Sequence, residues 1–239
     1  MRRFFAPVSS FESGRIQLDA DETRHLRDVL RLQLGDEVSI FDGEGREYRC
    51  SILEIGKKNS VAMIIEETTP SSPESPFEIT VAATILNGEK YDFVIQKAVE
   101  LGVAMLVPMN TIRCDVKLKD MEKRMTRWRR IAMEATKQCG RARLMQIGEP
   151  VEFERLVADS KGENVVLFSE RDGVDFSGLA GNKKITALFG PKGGWDDSEL
   201  AAAAKSGINI VTLGGRILRA ETASIAIAAI LQHRFGDLN

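Results

Sequence analysis

The sequence predicts an α/β protein of two domains, in which a small β-barrel precedes a larger domain built on a parallel sheet. Three observations predict this fold class. Short strand patterns occupy most of the chain before residue 68. Residues 68–76 then contain three of the seven prolines and three serines, a composition typical of an extended linker. Beyond them, nearly unbroken apolar runs alternate with helical stretches.

The first domain, expected at residues 1–70, has alternating strand patterns and one helical stretch. The residues Asp-Gly-Glu-Gly at 42–45 are a hairpin turn signal between two of the strands. Such small barrels commonly bind nucleic acid, although the fold alone does not establish that function. The predicted strands are residues 15–18, 37–41, 48–55 and 61–65.

One helix is expected within this first domain, at about residues 21–32. Asp19 or Asp21 is a suitable N-cap, because a short acidic side chain accepts hydrogen bonds from the first backbone N–H groups. Helical spacing predicts that His25 and Val29 face inward together with two leucines.

The second domain is expected at residues 78–239, after a linker at 71–77. Continuous apolar strands separated by helices indicate a parallel sheet covered on both faces. Such a sheet places its ligand site at the carboxyl ends of its strands. The predicted strands are residues 79–86, 104–107, 165–168, 185–189 and 208–213.

Two helices of the second domain have distinctive faces. The helix expected at residues 120–139 has one apolar stripe, with Trp128 at its centre, and basic residues off that stripe. The final helix, at about residues 221–235, is apolar on nearly every side. Such a helix needs more than the sheet to cover it, so a subunit partner is a sensible candidate.

Composition and charge limit the class of protein. The three cysteines are far apart and form no CxxC pair, so neither a disulfide framework nor a metal site is indicated. The N-terminus lacks a signal-peptide pattern, and the longest strongly apolar stretch, residues 223–231, is too short to cross a membrane. We therefore expect a cytoplasmic protein that binds no metal and no membrane.

Positive charge is concentrated in one part of a chain whose net charge is −2. Residues 113–143 contain eleven lysines and arginines against four acidic residues. A local basic stretch can hold a phosphate backbone, but a solvated helix face is an equally good interpretation. The charge pattern alone does not choose between them.

Three loops follow the last three predicted strands of the second domain, at residues 169–173, 190–195 and 214–223. Two of them are rich in glycine, which allows the backbone to approach a ligand closely. Together they can form a pocket of peptide N–H and C=O groups, which suits the edge of a nucleoside. No P-loop, GxGxxG fingerprint, HExxH or GxSxG motif accompanies them, so phosphoryl transfer and dinucleotide binding are not indicated.

These loops resemble the paired cofactor loops of the RsmE family of RNA methyltransferases, which belongs to the SPOUT superfamily. The similar segments are GPKGGW at 190–195 and LGGRILRAETA at 213–223, with further similarity at KAVELGV (97–103), EATKQCGR (134–141) and RRFF (2–5). The match runs in order along nearly the whole chain. Lys192 departs from the pattern, since the family commonly has glutamate there, and any role of that carboxylate is in doubt here.

The resemblance implies a specific fold and function. It implies a trefoil-knotted α/β domain that holds S-adenosyl methionine (SAM), preceded by a PUA-like barrel that helps to hold RNA. It also implies a homodimer that methylates N3 of a uridine in 16S ribosomal RNA. The RNA is expected to be bound within the small ribosomal subunit. Because N3 is hidden in paired RNA, the target base must be exposed or flipped.

The resemblance and the loop positions together predict the site residues. Arg219 ends the second glycine loop and is suitably placed to favour a uracil anion, although a salt bridge to Glu221 or Glu100 is the alternative. Glu134, Gln138 and Arg141 are expected to position the target or accept a proton, with helix capping or subunit contacts as alternatives. The expected cofactor contacts are Leu167, Phe168, Ser169, Gly190, Pro191, Gly193, Gly194, Leu213, Gly214, Ile217, Leu218 and Arg219.

The RNA contacts are the least specific of these predictions. Ordinary surface charge is the more frequent explanation for each arginine proposed to contact phosphate. These arginines are Arg2, Arg3, Arg24, Arg27 and Arg113. Rival functions also stay open at this point. A SPOUT enzyme can act on a ribose 2′-OH or guanosine N1, and a non-catalytic RNA-binding protein or a nucleotide-binding hydrolase can share parts of the pattern.

Overall fold

The computed structural model consists of two compact units, each of which is described separately. One unit comprises residues 1–74 and 136–144, and the other comprises residues 75–135 and 145–239. The domain boundaries predicted from the sequence, at residues 70 and 78, stay a prediction. The structure describes residues 2–116, 121–160, 164–171, 173–176 and 183–238.

The first unit is built on a mixed sheet of six strands in the order β1-β4-β5-β6-β3-β2. β1 runs parallel to β4, and the other neighbours are antiparallel. The four strands predicted from alternation are present, whereas β1 and β2 were not predicted because they are very short. The bounds are β1 (Arg3–Phe5), β2 (Phe11–Glu12), β3 (Arg15–Leu18), β4 (Glu37–Phe41), β5 (Glu47–Ile55) and β6 (Ser60–Thr68).

The helix of the first unit is shorter than predicted and changes its winding. The α-helix α1 (Ala20–Arg24) begins at Asp19, whose side chain accepts the N–H groups of Asp21 and Glu22. It continues as one π-helical turn over His25–Val29. The wider turn changes the angle between successive side chains. His25 and Val29 are therefore exposed, and the prediction that they face inward is wrong.

The second unit is built on a parallel sheet, as the apolar runs predicted. Its main path has the order β10-β8-β7-β13-β11-β14-β12, and β9 pairs with β8. All of these pairs are parallel, so each strand returns through a connection that crosses a face of the sheet. The strands are β7 (Glu78–Thr84), β8 (Met105–Asn110), β9 (Gln146–Ile147), β10 (Val151–Glu152), β11 (Val165–Phe168), β12 (Val174–Asp175), β13 (Lys184–Phe189) and β14 (Asn209–Thr212).

Helices separate the strands of the second unit, and the long ones match their predicted bounds closely. The apolar stripe of α3 is buried at Met125, Trp128, Ala132 and Ala135. The predicted first residue of this helix, Asp120, lies outside the described residues. The bounds are α2 (Glu89–Glu100), α3 (Met121–Cys139), α4 (Phe153–Asp159), α5 (Asp197–Lys205) and α6 (Ala220–Phe235). The last turn of α3 belongs to the first unit.

Candidate active site

The loops after β11, β13 and β14 meet at one edge of the parallel sheet. Phe168 at the end of β11 is paired with Phe189 of β13 and with Val211 of β14, so the three strands end at the same level. A cavity of about 370 Å³ lies between the loops. It is lined by Phe168, Ser169, Glu170, Phe189, Gly190, Pro191, Lys192, Gly193, Gly194, Trp195, Thr212, Leu213, Gly214, Gly215, Arg216, Ile217, Leu218, Ala220, Ala223 and Ile227.

Glycine is required at two places in this cavity for different reasons. Gly214 and Gly215 have φ angles of 69° and 75°, in the left-handed region that side-chain-bearing residues rarely adopt. A Cβ atom on either residue would have no heavy atom within 4 Å, so the space beside this backbone is open. At Gly190, by contrast, a Cβ would lie 2.8 Å from the ring of Trp195. The loop at residues 190–195 is therefore packed against the Trp195 ring, whereas the backbone at Gly214 and Gly215 is open to a ligand.

Aromatic side chains support the first loop. The rings of Phe168 and Phe189 stack, with centroids 5.5 Å apart and planes at 9°. Trp195 is 1% exposed, and its Nε1 donates a hydrogen bond of 2.8 Å to the carbonyl oxygen of Phe168. This bond joins the end of the first glycine loop to the end of β11.

Charged groups line the cavity in addition to peptide groups. Glu170 is the acidic residue among the lining residues, and Lys192 and Arg216 are the basic ones. The Glu170 carboxylate lies against the backbone of Gly194, because a Cβ there would be 2.6 Å from Glu170 Oε1. A carboxylate in this position attracts a positively charged part of a ligand.

Ten of the twelve predicted cofactor residues line the cavity, but Leu167 and Arg219 do not. Leu167 is fully buried in the apolar core, because consecutive residues of a strand point to opposite faces. The lining residues that were not predicted include Ala220, Ala223 and Ile227. Their spacing of three and four on α6 is the helical signal that can identify them. Asp172, in the loop after β11, lies outside the described residues.

Arg219 lies beside the cavity at the beginning of α6. It is the exposed N-cap residue of that helix, and its side chain makes no capping hydrogen bond. The two carboxylates proposed as alternative partners bind lysines instead, with Glu221 3.1 Å from Lys90 and Glu100 2.8 Å from Lys97. Desolvation raises the pKa of Glu221, but its own backbone N–H, Lys90 and Arg219 together lower it below the usual value.

Glu134, Gln138 and Arg141 are not among the residues that line the cavity. Glu134 and Gln138 are exposed on α3. Arg141 is 3% exposed, and its guanidinium donates to both carboxylate oxygens of Glu74, at 2.6 and 3.0 Å. These contacts support a structural role for Arg141, and the catalytic role of the three residues stays a prediction.

Two arginines that were predicted to contact RNA are hydrogen-bonded inside their own units. Arg3 donates to both carboxylate oxygens of Glu47 at 2.9 Å and to carbonyl oxygens of the last turn of α3. Its side chain is 12% exposed. Arg113 donates to the carbonyl oxygens of Gly193 and Trp195, at 3.2 Å each. A phosphate would have to displace these hydrogen-bond partners. A structural role therefore explains Arg3 and Arg113 better than an RNA contact does.

The remaining predicted RNA contacts lie on the surface of the first unit. Arg24 pairs with Asp21 at 2.7 Å, and Arg27 pairs with Asp28 at 2.7 Å. Arg2 is exposed. Exposed ion pairs of this kind form and break readily, so Arg24 stays available to an anion. Arg27 also donates to the carbonyl oxygens of Gly56 and Lys57, at 3.2 Å each, which favours a structural role.

Five of the eleven basic residues at 113–143 form ion pairs with acidic partners. Within the described residues, the ion pairs of this stretch join Arg113 to Asp196, Arg127 to Asp92, Arg129 to Glu149, Lys137 to Glu22 and Arg141 to Glu74. This pairing favours the interpretation that the stretch mainly stabilises the fold.

The described ranges contain no group of three or more histidine, cysteine, aspartate or glutamate side chains placed to hold a metal ion. Among those same residues, no helix has both the length and the apolar character needed to cross a bilayer.

Comparison with known proteins identifies the family. A family model described as an RNA methyltransferase domain matches residues 73–232, and one described as an RNA methyltransferase PUA domain matches residues 18–65. A ribosomal RNA small subunit methyltransferase E from Synechocystis is 31% identical, over 96% of this chain and 76% of the relative. This chain belongs to the ribosomal RNA small subunit methyltransferase E family. The member from Bacillus subtilis is 28% identical over 96% of each chain.

Solved structures of methyltransferase E family members have the same fold. The one from Neisseria gonorrhoeae, determined bound to S-adenosyl methionine, is 32% identical over 100% of both chains with a TM-score of 0.91. A methyltransferase structure from Legionella pneumophila with bound SAM is 30% identical over 99% of both chains, with the same TM-score. The predicted family and fold class, a PUA-like domain followed by a SPOUT methyltransferase domain, are therefore confirmed.

Proposed function

We propose that this protein transfers the methyl group of SAM to N3 of a uridine in 16S ribosomal RNA, within the small ribosomal subunit. The observation that carries the proposal is the cavity between the loops after β11, β13 and β14, in a chain of the methyltransferase E family. A ribosomal RNA substrate also makes the cytoplasm the expected place of action.

The residues of the cavity fit SAM. Its volume of about 370 Å³ falls within the range of small-molecule sites, roughly 300–1,000 Å³. Its position at the carboxyl edge of a parallel sheet is the usual one for ligands of such sheets. The open backbone at Gly214 and Gly215 offers peptide groups to an adenine edge without a side chain between them. When bound, SAM supplies a methyl group on a positively charged sulfur atom.

The protein residues have distinct proposed parts in the reaction. The backbone of the glycine loops would hold the cofactor, and the Glu170 carboxylate would attract its positive charge. Holding the two reactants in line can lower the barrier by about 7–11 kcal/mol in well-oriented systems. The cavity residues proposed as cofactor contacts are Phe168, Ser169, Gly190, Pro191, Gly193, Gly194, Leu213, Gly214, Ile217 and Leu218.

Arg219 is proposed to stabilise the uracil anion that forms when N3 loses its proton. Its guanidinium makes no ion pair with Glu221 or Glu100, which are bound to lysines. It also lies at the start of α6, where the backbone N–H groups of the first turn add positive potential. An anion beside the cavity therefore meets two sources of positive charge.

We propose a homodimer as the active form. Ile217 is 81% exposed in the second glycine loop, and Ile230 on α6 is 37% exposed. Phe93 on α2, which packs against α6, is 47% exposed. Large apolar side chains exposed on neighbouring elements favour a surface that is covered in an assembly. Light scattering of the purified protein is expected to give twice the mass of the chain, and a monomer at micromolar concentration would contradict the dimer.

The activity is tested with purified protein, labelled SAM and small ribosomal subunits that lack the modification. We expect mass spectrometry of the digested RNA to show 3-methyluridine. A different methylated nucleoside would overturn the assignment to N3, and no SAM binding in calorimetry would overturn the proposed function altogether.

Arg219→Ala provides a test at the level of one residue. It should reduce kcat by at least about 100-fold, the usual effect of losing a group that stabilises transition-state charge, while SAM binding is kept. Arg155→Ala is the matched control, because Arg155 is an exposed arginine paired only loosely with Asp159, at 3.7 Å. Unchanged turnover in Arg219→Ala would remove Arg219 from the catalytic residues.

A further inference from the structure

We propose that Arg113 and Arg171 are positioning residues, which together hold the first glycine loop, residues 190–195, in the shape that binds the cofactor. This inference rests on the proposed function, because it concerns the same cavity. Neither arginine is among the residues that line the cavity, so both would act through the loop. Arg171 also lies 3.8 Å from the carboxylate of Glu170, which does line the cavity, so Arg113→Ala is the cleaner single variant.

Both guanidinium groups donate to the same acceptor, the carbonyl oxygen of Trp195. Arg113 approaches through Nη1 and Arg171 through Nη2, each at 3.2 Å. Arg113 Nη1 also donates to the carbonyl oxygen of Gly193, at 3.2 Å. The backbone at the end of the loop is therefore held from two sides, by the segment after β8 and by the segment after β11.

Each arginine is in turn fixed by a carboxylate at the start of α5. Arg113 pairs with Asp196 at 3.0 Å, and Arg171 pairs with Asp197 at 2.6 Å. Asp196 is the N-cap of α5, and hydrogen bonds from Ser198, followed by the Arg113 guanidinium, lower its pKa. Both ion pairs are partly exposed, so they favour the observed orientation of the guanidinium groups without locking it.

The loop has a further anchor on its other side. The Trp195 ring lies under Gly190, and its Nε1 donates to the Phe168 carbonyl oxygen at 2.8 Å. With the indole fixed, the freedom left to the loop lies mainly in the peptide groups from Pro191 to Trp195. Those are the groups that Arg113 and Arg171 restrain. Ordering them in advance lowers the entropy lost on binding, which raises affinity without any new contact.

The test compares SAM binding by the full-length variants Arg113→Ala, Arg171→Ala and the double variant. Calorimetry without RNA isolates the cofactor step from any RNA contact of Arg113. We expect Arg113→Ala to raise the Kd for SAM by about tenfold, as expected for lost hydrogen bonds from a charged donor. The double variant should lose more than the product of the single effects, because the Trp195 carbonyl then loses both guanidinium donors.

Steady-state kinetics separate positioning from other roles. The KM for SAM should rise, while kcat at saturating SAM and the KM for RNA stay within about twofold of the wild type. Arg113→Lys should recover part of the affinity, because one ammonium group can reach one of the two carbonyl oxygens. Arg155→Ala, at an exposed arginine of the same unit, serves as the matched control.

Binding is measured at a temperature at which circular dichroism shows each variant to be folded. If the wild type binds SAM and the double variant binds it equally well, the positioning role is wrong while the proposed function stands. A rise in the KM for RNA with unchanged SAM affinity would also overturn it, in favour of an RNA contact. If the wild type itself does not bind SAM, the proposed function fails first.

Discussion

Gly214 and Gly207 have nearly the same backbone conformation but different surroundings. Their φ angles are 69° and 77°, and a Cβ on either would have no heavy atom within 4 Å. Gly214 lines the cavity, whereas Gly207 follows the C-terminus of α5. Substituting each glycine by alanine therefore distinguishes two effects. Both substitutions strain the backbone, but only the one at Gly214 also places a methyl group at the cavity.

We expect Gly214→Ala and Gly207→Ala to destabilise the protein by a similar amount, about 1–2 kcal/mol, because each places an L-residue in the left-handed region. Only Gly214→Ala should also weaken SAM binding, by at least about tenfold, because the new methyl group projects where the ligand lies. Urea unfolding and calorimetry measure the two effects. Equal SAM affinity in both variants would show that the cofactor does not approach Gly214.

Glu170 allows a test of charge recognition. Glu170→Gln keeps the shape of the side chain and removes its charge, so SAM should bind about fivefold more weakly, as expected for one partly exposed ion pair. The neutral nucleoside 5′-methylthioadenosine lacks the sulfonium and ammonium groups, and its affinity should stay unchanged. Calorimetry with both ligands measures the difference. An equal loss for both would mean that Glu170 only supports the Gly194 turn.

Single residues also show where prediction from sequence stops. The glycine loops were predictable, because glycines directly after buried strands leave a local pattern. The partners of Arg3 and Arg113 were not, since the nearest is 44 residues away in the chain and no local spacing reports it. Nothing in the sequence distinguishes either arginine from an ordinary surface charge. In the structure, both guanidinium groups donate hydrogen bonds to other residues of the protein.

At the scale of elements, length decided what could be predicted. α3 and α6 each run for four or more turns, so α3 was predictable from its periodic apolar stripe and α6 from the length of its apolar stretch. Strands β9, β10 and β12 have two residues each, too few for any pattern. The π-helical turn His25–Val29 escaped prediction because a single wide turn has no periodicity of its own.

The end of α3 depends on a side chain from β1. Arg3 donates to the carbonyl oxygens of Thr136 and Lys137, in the last turn of the helix, and to that of Arg141. The same guanidinium neutralises Glu47, which is 5% exposed. Arg3 therefore combines helix capping with a largely buried ion pair.

Arg3→Met should consequently lower the free energy of unfolding by about 3–5 kcal/mol, because it leaves a buried carboxylate without its charged partner and, among the described residues, only the Ser39 hydroxyl as a donor. Arg24→Met is the control, since Arg24 forms an exposed pair with Asp21, and it should change stability by less than about 1 kcal/mol. Urea unfolding followed by circular dichroism measures both. A loss below 1 kcal/mol in Arg3→Met would mean that Glu47 is hydrated despite its burial.

At the scale of the whole molecule, two properties have no local signature. A trefoil knot is a property of the whole chain path, so only the family resemblance implied it. The first compact unit is discontinuous, since residues 136–144 belong with residues 1–74. A linear pattern can indicate a boundary at a proline-rich linker, but it cannot indicate that a later segment returns to the earlier unit.

The returning segment supplies partners that residues 1–74 lack. Lys137 pairs with Glu22, which is 4% exposed, and Arg141 pairs with Glu74. The Leu144 N–H donates to the Gly43 carbonyl oxygen, and the Gly45 N–H donates to that of Ala142. Small units have only about 5–15 kcal/mol of net stability. Breaking a buried ion pair alone costs about 3–5 kcal/mol.

We therefore expect a fragment of residues 1–74 to be largely unfolded, and a peptide of residues 132–146 to restore its structure when added. A peptide with Lys137→Met should restore it less well, because the largely buried Glu22 then loses its ion pair with Lys137. Backbone chemical-shift dispersion in NMR spectra of the fragment, with and without peptide, measures the recovery. If residues 1–74 alone unfold cooperatively with native stability, the prediction is wrong. Residues 136–144 would then contribute nothing to the stability of the unit.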